Sequence, residues 1–517
     1  MRVIDQFDAG VRLGAHRPCL TELAGRSLTY GEVCDLTHRI ANGLKACGLQ
    51  RGAKVGLLSG NHLFTFAAML GTFRSDTILV PVNARNAMSE NIYVLANTDC
   101  EFLWIDAEFA AHLPEIRAGL PGIKMIVSVT GPVGDVPGIE EWAALQSPDL
   151  FDFDYDPEDI FTIRGTGGTT GMPKAVLIPH RAWQLMFANA FITAPFRVRP
   201  VNLVVMPLSH ASATSSLMTV TYGGENVILP KADPDTILGA IERFKVTFTV
   251  LPPTVIYRLL ASPNLKTFDL SSLEYLAYAS APISTEKLKE AIDVFGPVLV
   301  QFYGQAEAPL TLTTMTREDH ITNNDPVRVK RLASCGRASP YVHLEIMDDA
   351  GRLLPNNERG ELVVRGGLVM KGYYKNPEAT AEAMRDGWLH TGDVAYRDDD
   401  GYYFLVDRKK DVIISGGFNI YPGEIEQIIA RHPAVLESAV IGIPDPDWGE
   451  SLKAVVELRP GMQASEADLL AHCRQHLGKL KIPRSIEFWP ELPRTRVGKV
   501  LKRDIRQKFW GEGQRAV

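Results

Sequence analysis

The chain has 517 residues, 45% apolar and 22% charged, which fits a globular protein and excludes a disordered tail, a coiled coil or a collagen. Its 54 basic and 61 acidic side chains leave a net charge of −7; this argues against nucleic acid as a partner but allows a local basic site for a small phosphorylated ligand. The six cysteines, Cys19, Cys34, Cys47, Cys100, Cys335 and Cys473, form no CxxC pair, which removes zinc ribbons and thioredoxin-like sites and points to a reducing, cytoplasmic setting.

Met1–Asp8 carries no long apolar run, so no secretory signal is expected, and no stretch is apolar for long enough to span a bilayer. Leu28-Thr29-Tyr30 opens a helical pattern through Val33, Leu36, Ile40 and Leu44. Short buried strands are expected at 55–58, 77–82 and 125–129, then at 161–164 and 175–178, with a helix from Ala182. Further strands are expected at 203–206 and 246–251. Strands separated by helices predict βαβ units and a largely parallel sheet. From about residue 335 the texture changes: 344–348 and 360–365 alternate as antiparallel strands with one wet face do. The charged turn Asp407-Arg408-Lys409-Lys410-Asp411 precedes a stretch with its own strands, 439–442 and 454–458, and a helix near 465–477. A large domain, 1–407, and a small one, 408–517, are therefore expected. No internal repeat is present.

The most informative stretch is Arg164-Gly165-Thr166-Gly167-Gly168-Thr169-Thr170-Gly171-Met172-Pro173-Lys174-Ala175. Its glycines let backbone N–H groups approach a ligand, its threonines add neutral donors, and Lys174 adds a point charge, which suits a polyphosphate. It is not a P-loop, because Gly171 is followed by Met172 and Lys174 by Ala175. It is not a dinucleotide fingerprint, because the third glycine position holds Thr170.

The string resembles the Thr-Ser-Gly-Thr-Thr-Gly-x-Pro-Lys-Gly loop of the adenylate-forming superfamily, which covers acyl- and aryl-CoA synthetases, peptide-synthetase adenylation domains and beetle luciferases. Gly167 stands in place of the usual Ser, and Ala175 in place of the usual Gly. Other motifs follow in the family's order along nearly the whole chain. Pro207-Leu208-Ser209-His210 is similar to the Pro-Leu-Phe-His element, which implies that His210 gates the acyl pocket beside the carboxylate and is not a general base. Ala279-Ser280-Ala281-Pro282 resembles the turn along the adenine. Gln301-Phe302-Tyr303-Gly304-Gln305-Ala306-Glu307 resembles Tyr-Gly-x-Thr-Glu, implying adenine stacking on Tyr303 and magnesium on Glu307, with Thr166 as a second metal-side group. Ala306 replaces a threonine that bonds phosphate, a loss of about 0.5–1.5 kcal/mol unless compensated.

Thr391-Gly392-Asp393 implies a ribose-binding carboxylate at Asp393, with Arg408 reaching the same ribose and Lys410 as hinge. Gly416 and Gly417 lie in a loop that, by resemblance, lines the pantetheine tunnel. Leu492-Pro493-Arg494-Thr495-Arg496-Val497-Gly498-Lys499 implies Lys499 as the adenylation lysine. His472 and His476 are four apart on the expected helix, but position 473 is a cysteine where HExxH needs glutamate, so both are expected to face solvent.

The resemblance implies an α/β fold: a large N-terminal domain of stacked sheets flanked by helices plus a β-subdomain, and a small α+β C-terminal domain on a hinge. It implies an ATP-dependent carboxylate–CoA ligase that forms an acyl-adenylate and then a thioester. ATP, CoA, Mg2+ and an aliphatic or aromatic monocarboxylic acid are the implied ligands. Two other readings stay open: an adenylating enzyme that loads a carrier protein or other acceptor, and a nucleotide-binding protein without chemistry. The sequence is compatible with a homodimer and does not fix the oligomeric state.

Overall fold

A computed structural model describes residues 1–165, 173–231, 233–494 and 500–510, and every count below is of these residues. The expected helix forms as Tyr30–Ala46, opened by a capping box in which Thr29 and Glu32 exchange side-chain and backbone hydrogen bonds. Two large sheets build the N-terminal part. The central strands of the first are parallel, in the spatial order Leu299–Tyr303, Tyr275–Tyr278, Phe248–Leu251, Val201–Val204, Glu225–Ile228 and Pro18–Glu22. Short antiparallel strands close both edges. The second sheet runs from Gly372–Tyr373 through Ala175–Pro179, Ile160–Gly165, Ile78–Pro81, Lys54–Leu58 and Cys100–Ile105 to Met125–Ser128.

Helices Leu63–Arg74 and Ala211–Thr221 are buried at nearly every position. The first is largely apolar, as a helix inside a fold is; the second is rich in Ser and Thr, and Thr219 and Thr221 each donate to a carbonyl one turn back at 2.8 Å. One continuous cluster joins apolar side chains of both helices to side chains of both sheets, including Trp104, Phe161, Phe248 and Val300. An antiparallel β-subdomain follows, built on His343–Met347, Gly360–Arg365, Trp388–Arg397 and Tyr403–Arg408. The C-terminal part has its own sheet and separate cores, one around Ile413, Ile425, Val440 and Leu469. This is the expected α/β architecture.

One strand ends earlier than its apolar run. The stretch 203–206 was expected as a strand, but the ladder stops at Val204 in Val201–Val204. Beyond it the Asn61 amide donates to the Met206 carbonyl (3.0 Å), and Asn61 Oδ1 accepts from Leu208 N–H (2.9 Å). A side chain from another element thus takes over the hydrogen bonding, which fixes the turn that leads to His210.

The strand Tyr403–Arg408 runs into the turn Lys409–Asp411, and this turn is tied to the C-terminal part by buried charges. Asp407 accepts from Gly423 N–H at 2.7 Å; the Lys502 ammonium lies 2.8 Å from Glu426 and 3.9 Å from Asp407; Arg506 pairs with Asp411 at 2.8 Å. Burial by itself would lower the Lys502 pKa, yet Glu426, Asp407 and Asp411 together raise it above its ordinary value. Among the described residues no helix is long and apolar enough to cross a membrane.

Candidate active site

Three of the motifs sit at the carboxyl ends of parallel strands of one sheet: His210 after Val201–Val204, the 279–282 turn after Tyr275–Tyr278, and Gly304–Glu307 after Leu299–Tyr303. That edge is where open α/β sheets bind ligands. Ser280 has φ of +75°, a left-handed conformation that a non-glycine residue adopts at a cost, and its turn is exposed at the sheet edge. Gln301 is buried and accepts from the Tyr278 hydroxyl at 3.3 Å. Gly304 permits a close backbone approach, since a Cβ there would lie 2.4 Å from Leu310 N.

Asp393 is the best-connected carboxylate of the site, with a residue exposure of only 5%. Its Oδ2 accepts from the Tyr303 hydroxyl (2.5 Å) and the Gln305 amide (2.7 Å), and its Oδ1 lies 2.6 Å from Arg408 Nε. The β-subdomain brings these groups together by pairing Asp393 with Arg408 across adjacent strands. Burial works against the Arg408 charge, but Asp393 holds its pKa above the ordinary value. For Tyr303, burial and then the Asp393 charge push the phenol well above its usual range, so it stays a neutral donor. Four residues from three segments thus form one polar cluster. Gln305, which occupies the variable position of its motif, is a member that sequence reasoning missed.

Glu307 has a different partner. The Tyr373 hydroxyl donates to Glu307 Oε1 at 2.8 Å, and the Lys174 ammonium sits 5.0 Å from the Tyr373 ring centroid. Tyr373 pairs with Val176 across neighbouring strands, which sets it between the lysine and the carboxylate. Arg181 steadies the same segment by donating to the Gly367 carbonyl at 2.6 Å and the Val369 carbonyl at 2.7 Å, and Met370 N–H donates to the Glu307 carbonyl at 2.8 Å. A single hard carboxylate near a lysine suits magnesium, which binds through one or two carboxylates plus phosphate oxygens. Replacing Tyr373 with phenylalanine should leave the fold intact and raise the magnesium concentration for half-maximal activity several-fold, about 0.5–1.5 kcal/mol for one hydrogen bond. A magnesium titration checks this; an unchanged midpoint with unchanged kcat would remove Tyr373 from the site. Ala306 packs against the main core cluster.

His210 lies at the start of Ala211–Thr221 with Nδ1 3.0 Å from the Ser209 hydroxyl. Burial first, then the charges of Arg164 and Arg85, pull its pKa down to about 4, so it is a neutral imidazole at pH 7. Arg164 itself, expected only as the end of a strand, stacks at 4.8 Å on the Trp183 ring, and burial lowers its pKa to about 10.

Lys410 lies in the turn Lys409–Asp411. Gly416 and Gly417 have φ of +57° and +81° at the tip of the hairpin formed by Ile413–Ser415 and Phe418–Ile420. One face of that hairpin meets solvent, with Ile414 and Phe418 each 55% exposed, while Ile413 and Ile420 on the other sit in the core. His476 is exposed as expected, but His472 is partly covered and its Nε2 lies 2.9 Å from the Ile428 carbonyl. The positions Thr166, Gly167, Gly168, Thr169, Thr170 and Lys499 lie outside the described residues.

Residues 7–374 match the AMP-binding enzyme family, and residues 424–499 match the AMP-binding enzyme C-terminal domain. A medium/long-chain-fatty-acid–CoA ligase, FadD8 of Mycobacterium tuberculosis, is 36% identical over 96% of this chain and 88% of its own. A feruloyl-CoA synthase of an Amycolatopsis species is 35% identical over 94% of each chain. Among solved structures, the amide bond synthetase McbA from Marinactinospora thermotolerans superposes with a TM-score of 0.89 at 30% identity, covering 98% of this chain and 100% of that one. The sheet-edge site and these likenesses have one reading: this chain belongs to the AMP-binding enzyme family, the adenylate-forming ligases.

Proposed function

We propose that the protein is an AMP-forming acyl- or aryl-CoA synthetase of the cytoplasm. The observation that carries this is the pair of clusters at one sheet edge: Asp393 with Tyr303, Gln305 and Arg408, and Glu307 with Tyr373 beside Lys174. The first suits a ribose, whose two hydroxyls need a carboxylate acceptor, with the Tyr303 ring and the 280–282 turn against the base. The second suits the phosphates, with Lys174 and residues 166–170 around them. Bound Mg2+ at Glu307 would neutralise phosphate charge.

In the first half-reaction the acid's carboxylate attacks the α-phosphorus of ATP and pyrophosphate leaves. Lys499 stabilises the charge that builds on the transferring group, which is electrostatic preorganisation. In the second, the CoA thiol attacks the acyl-adenylate carbonyl and AMP leaves. The small domain, from 408 onward, turns about Lys410 between the two, withdrawing Lys499 and bringing in the 416–417 loop. The outward-facing hairpin with exposed Ile414 and Phe418 suits a surface that is covered in only one of the two arrangements.

The fatty-acid and feruloyl relatives support an aliphatic or aromatic monocarboxylic acid as substrate. McbA supports a second reading of the acceptor, an amine in place of CoA. A panel of aliphatic and aromatic carboxylates, assayed for AMP release with and without CoA, tests both. The expected result is acid-dependent release that CoA accelerates, with acyl-CoA as product. Acid-dependent release indifferent to CoA would overturn CoA as acceptor.

A further inference from the structure

Arg164 has no task in the two half-reactions as assigned so far. Its cross-strand partner is Val176, and Val176 and Trp183 both belong to the main buried cluster, so the guanidinium that stacks on Trp183 points toward the space between the sheets. Arg164 Nε is covered and bonds no described group, and Trp183 Nε1 is in the same state. No described carboxylate pairs with Arg164, and the residues from Gly165 to Lys174 include no Asp or Glu. The nearby imidazole of His210 is neutral and feels two guanidiniums, Arg164 and Arg85, with no acid to offset them. Arg164 is half-buried, and a cation whose solvation is cut back with no counter-charge beside it is unfavourable; such groups persist where a ligand brings the missing anion.

The reaction offers two anions, a polyphosphate and a carboxylate. The polyphosphate already has Lys174 and the Gly/Thr loop. Arg164 instead lies against Trp183 and within electrostatic reach of His210, the residue expected beside the acid's carboxylate. We infer that Arg164 binds the reacting carboxylate of the incoming acid, with the neutral His210 imidazole as its neighbour. This rests on the reading of the chain as a carboxylate-activating ligase. The guanidinium is planar and presents paired donors that match a carboxylate. When a carboxylate oxygen bonds to the α-phosphorus, the bond from that phosphorus to the bridging oxygen breaks and its electron pair leaves with pyrophosphate. The acid's negative charge is then gone, and Arg164 loses its partner. It therefore holds the substrate and not the acyl-adenylate.

The test uses the full-length protein with an acid it turns over, in the variants Arg164→Met and Arg164→Lys. Arg164→Met should raise the KM for the acid about 10- to 100-fold, the loss of a charge-assisted pair, and leave the KM for ATP within about twofold. Binding of an acyl-sulfamoyl adenosine, an adenylate mimic with no free carboxylate, should stay within about threefold of wild type. Arg164→Lys should recover part of the acid KM, and it carries the same comparison if the methionine variant does not fold. A rise in the ATP KM instead, or equal weakening of acid and mimic, overturns the inference. So does a loss confined to acids that carry a second anionic group. A wild-type protein that activates no carboxylic acid would instead refute the ligase reading itself.

Discussion

Lys499→Ala should slow acyl-adenylate formation roughly 10²- to 10³-fold, the usual effect of removing one donor that stabilises transition-state charge, and leave thioester formation from supplied acyl-adenylate within a few-fold. The asymmetry follows from chemistry. Attack on the α-phosphorus builds negative charge on oxygens that a compact ammonium can bridge, whereas thiol attack on the adenylate carbonyl has AMP as a good leaving group and less need of that cation. The base of the Lys499 segment is well anchored. Arg494 and Val500 pair as an isolated antiparallel bridge, and Arg494 Nη1 and Nη2 lie 3.0 Å from Glu437 and 2.8 Å from Glu457. Pyrophosphate release from ATP and acid, set beside CoA-dependent AMP release from synthetic adenylate, measures the two steps separately. Equal loss in both would sink the division of labour.

Asp393→Asn should be nearly as damaging, for a different reason. Three donors converge on the carboxylate: the Tyr303 hydroxyl, the Gln305 amide and Arg408 Nε. Asparagine offers one oxygen and one amino group, so at least one donor faces another donor. Leaving a buried group unsatisfied costs about 1–3 kcal/mol. The low end applies here, because the Arg408 side chain is 38% exposed and water relieves part of its charge. With Asp393 as the proposed acceptor for the ribose hydroxyls, the same change should also raise the KM for ATP about 10- to 100-fold, the value of one or two hydrogen bonds to a charged group. Steady-state kinetics with ATP varied, together with a melting curve, separate the two effects. A lower melting temperature with an unchanged ATP KM would make Asp393 a structural residue only.

The strands were readable where apolar β-branched residues are bounded by turn formers, as at Lys54–Leu58 and Gly360–Arg365. Strand order was not. Pro18–Glu22 pairs in parallel with Glu225–Ile228, and no local pattern in either segment names the other. The site divides the same way. Asp393, Arg408, Tyr303 and Glu307 stand in strings whose chemistry is local and therefore legible. Gln305, Tyr373 and Arg164 matter because of what lies across from them. Tyr373 meets Glu307 from 66 positions away, and Arg164 reaches Trp183 from the neighbouring strand. Such pairs are created by packing, and a single sequence carries no signal for them.

The charges around the turn at 407–411 bear on how this enzyme can be recombined with its relatives. Asp407 would be the last residue of the large domain if the chain were cut at 408, yet its carboxylate accepts from Gly423 and faces Lys502. Asp411 and Arg506 form a second tie between the same turn and the terminal helix Lys502–Trp510. A graft joined after Asp407 would keep that acid and discard the groups that neutralise it. A cassette that begins inside the strand Tyr403–Arg408 and runs through the terminal helix would carry Asp407 and Asp411 together with Lys502 and Arg506, the cations that face them.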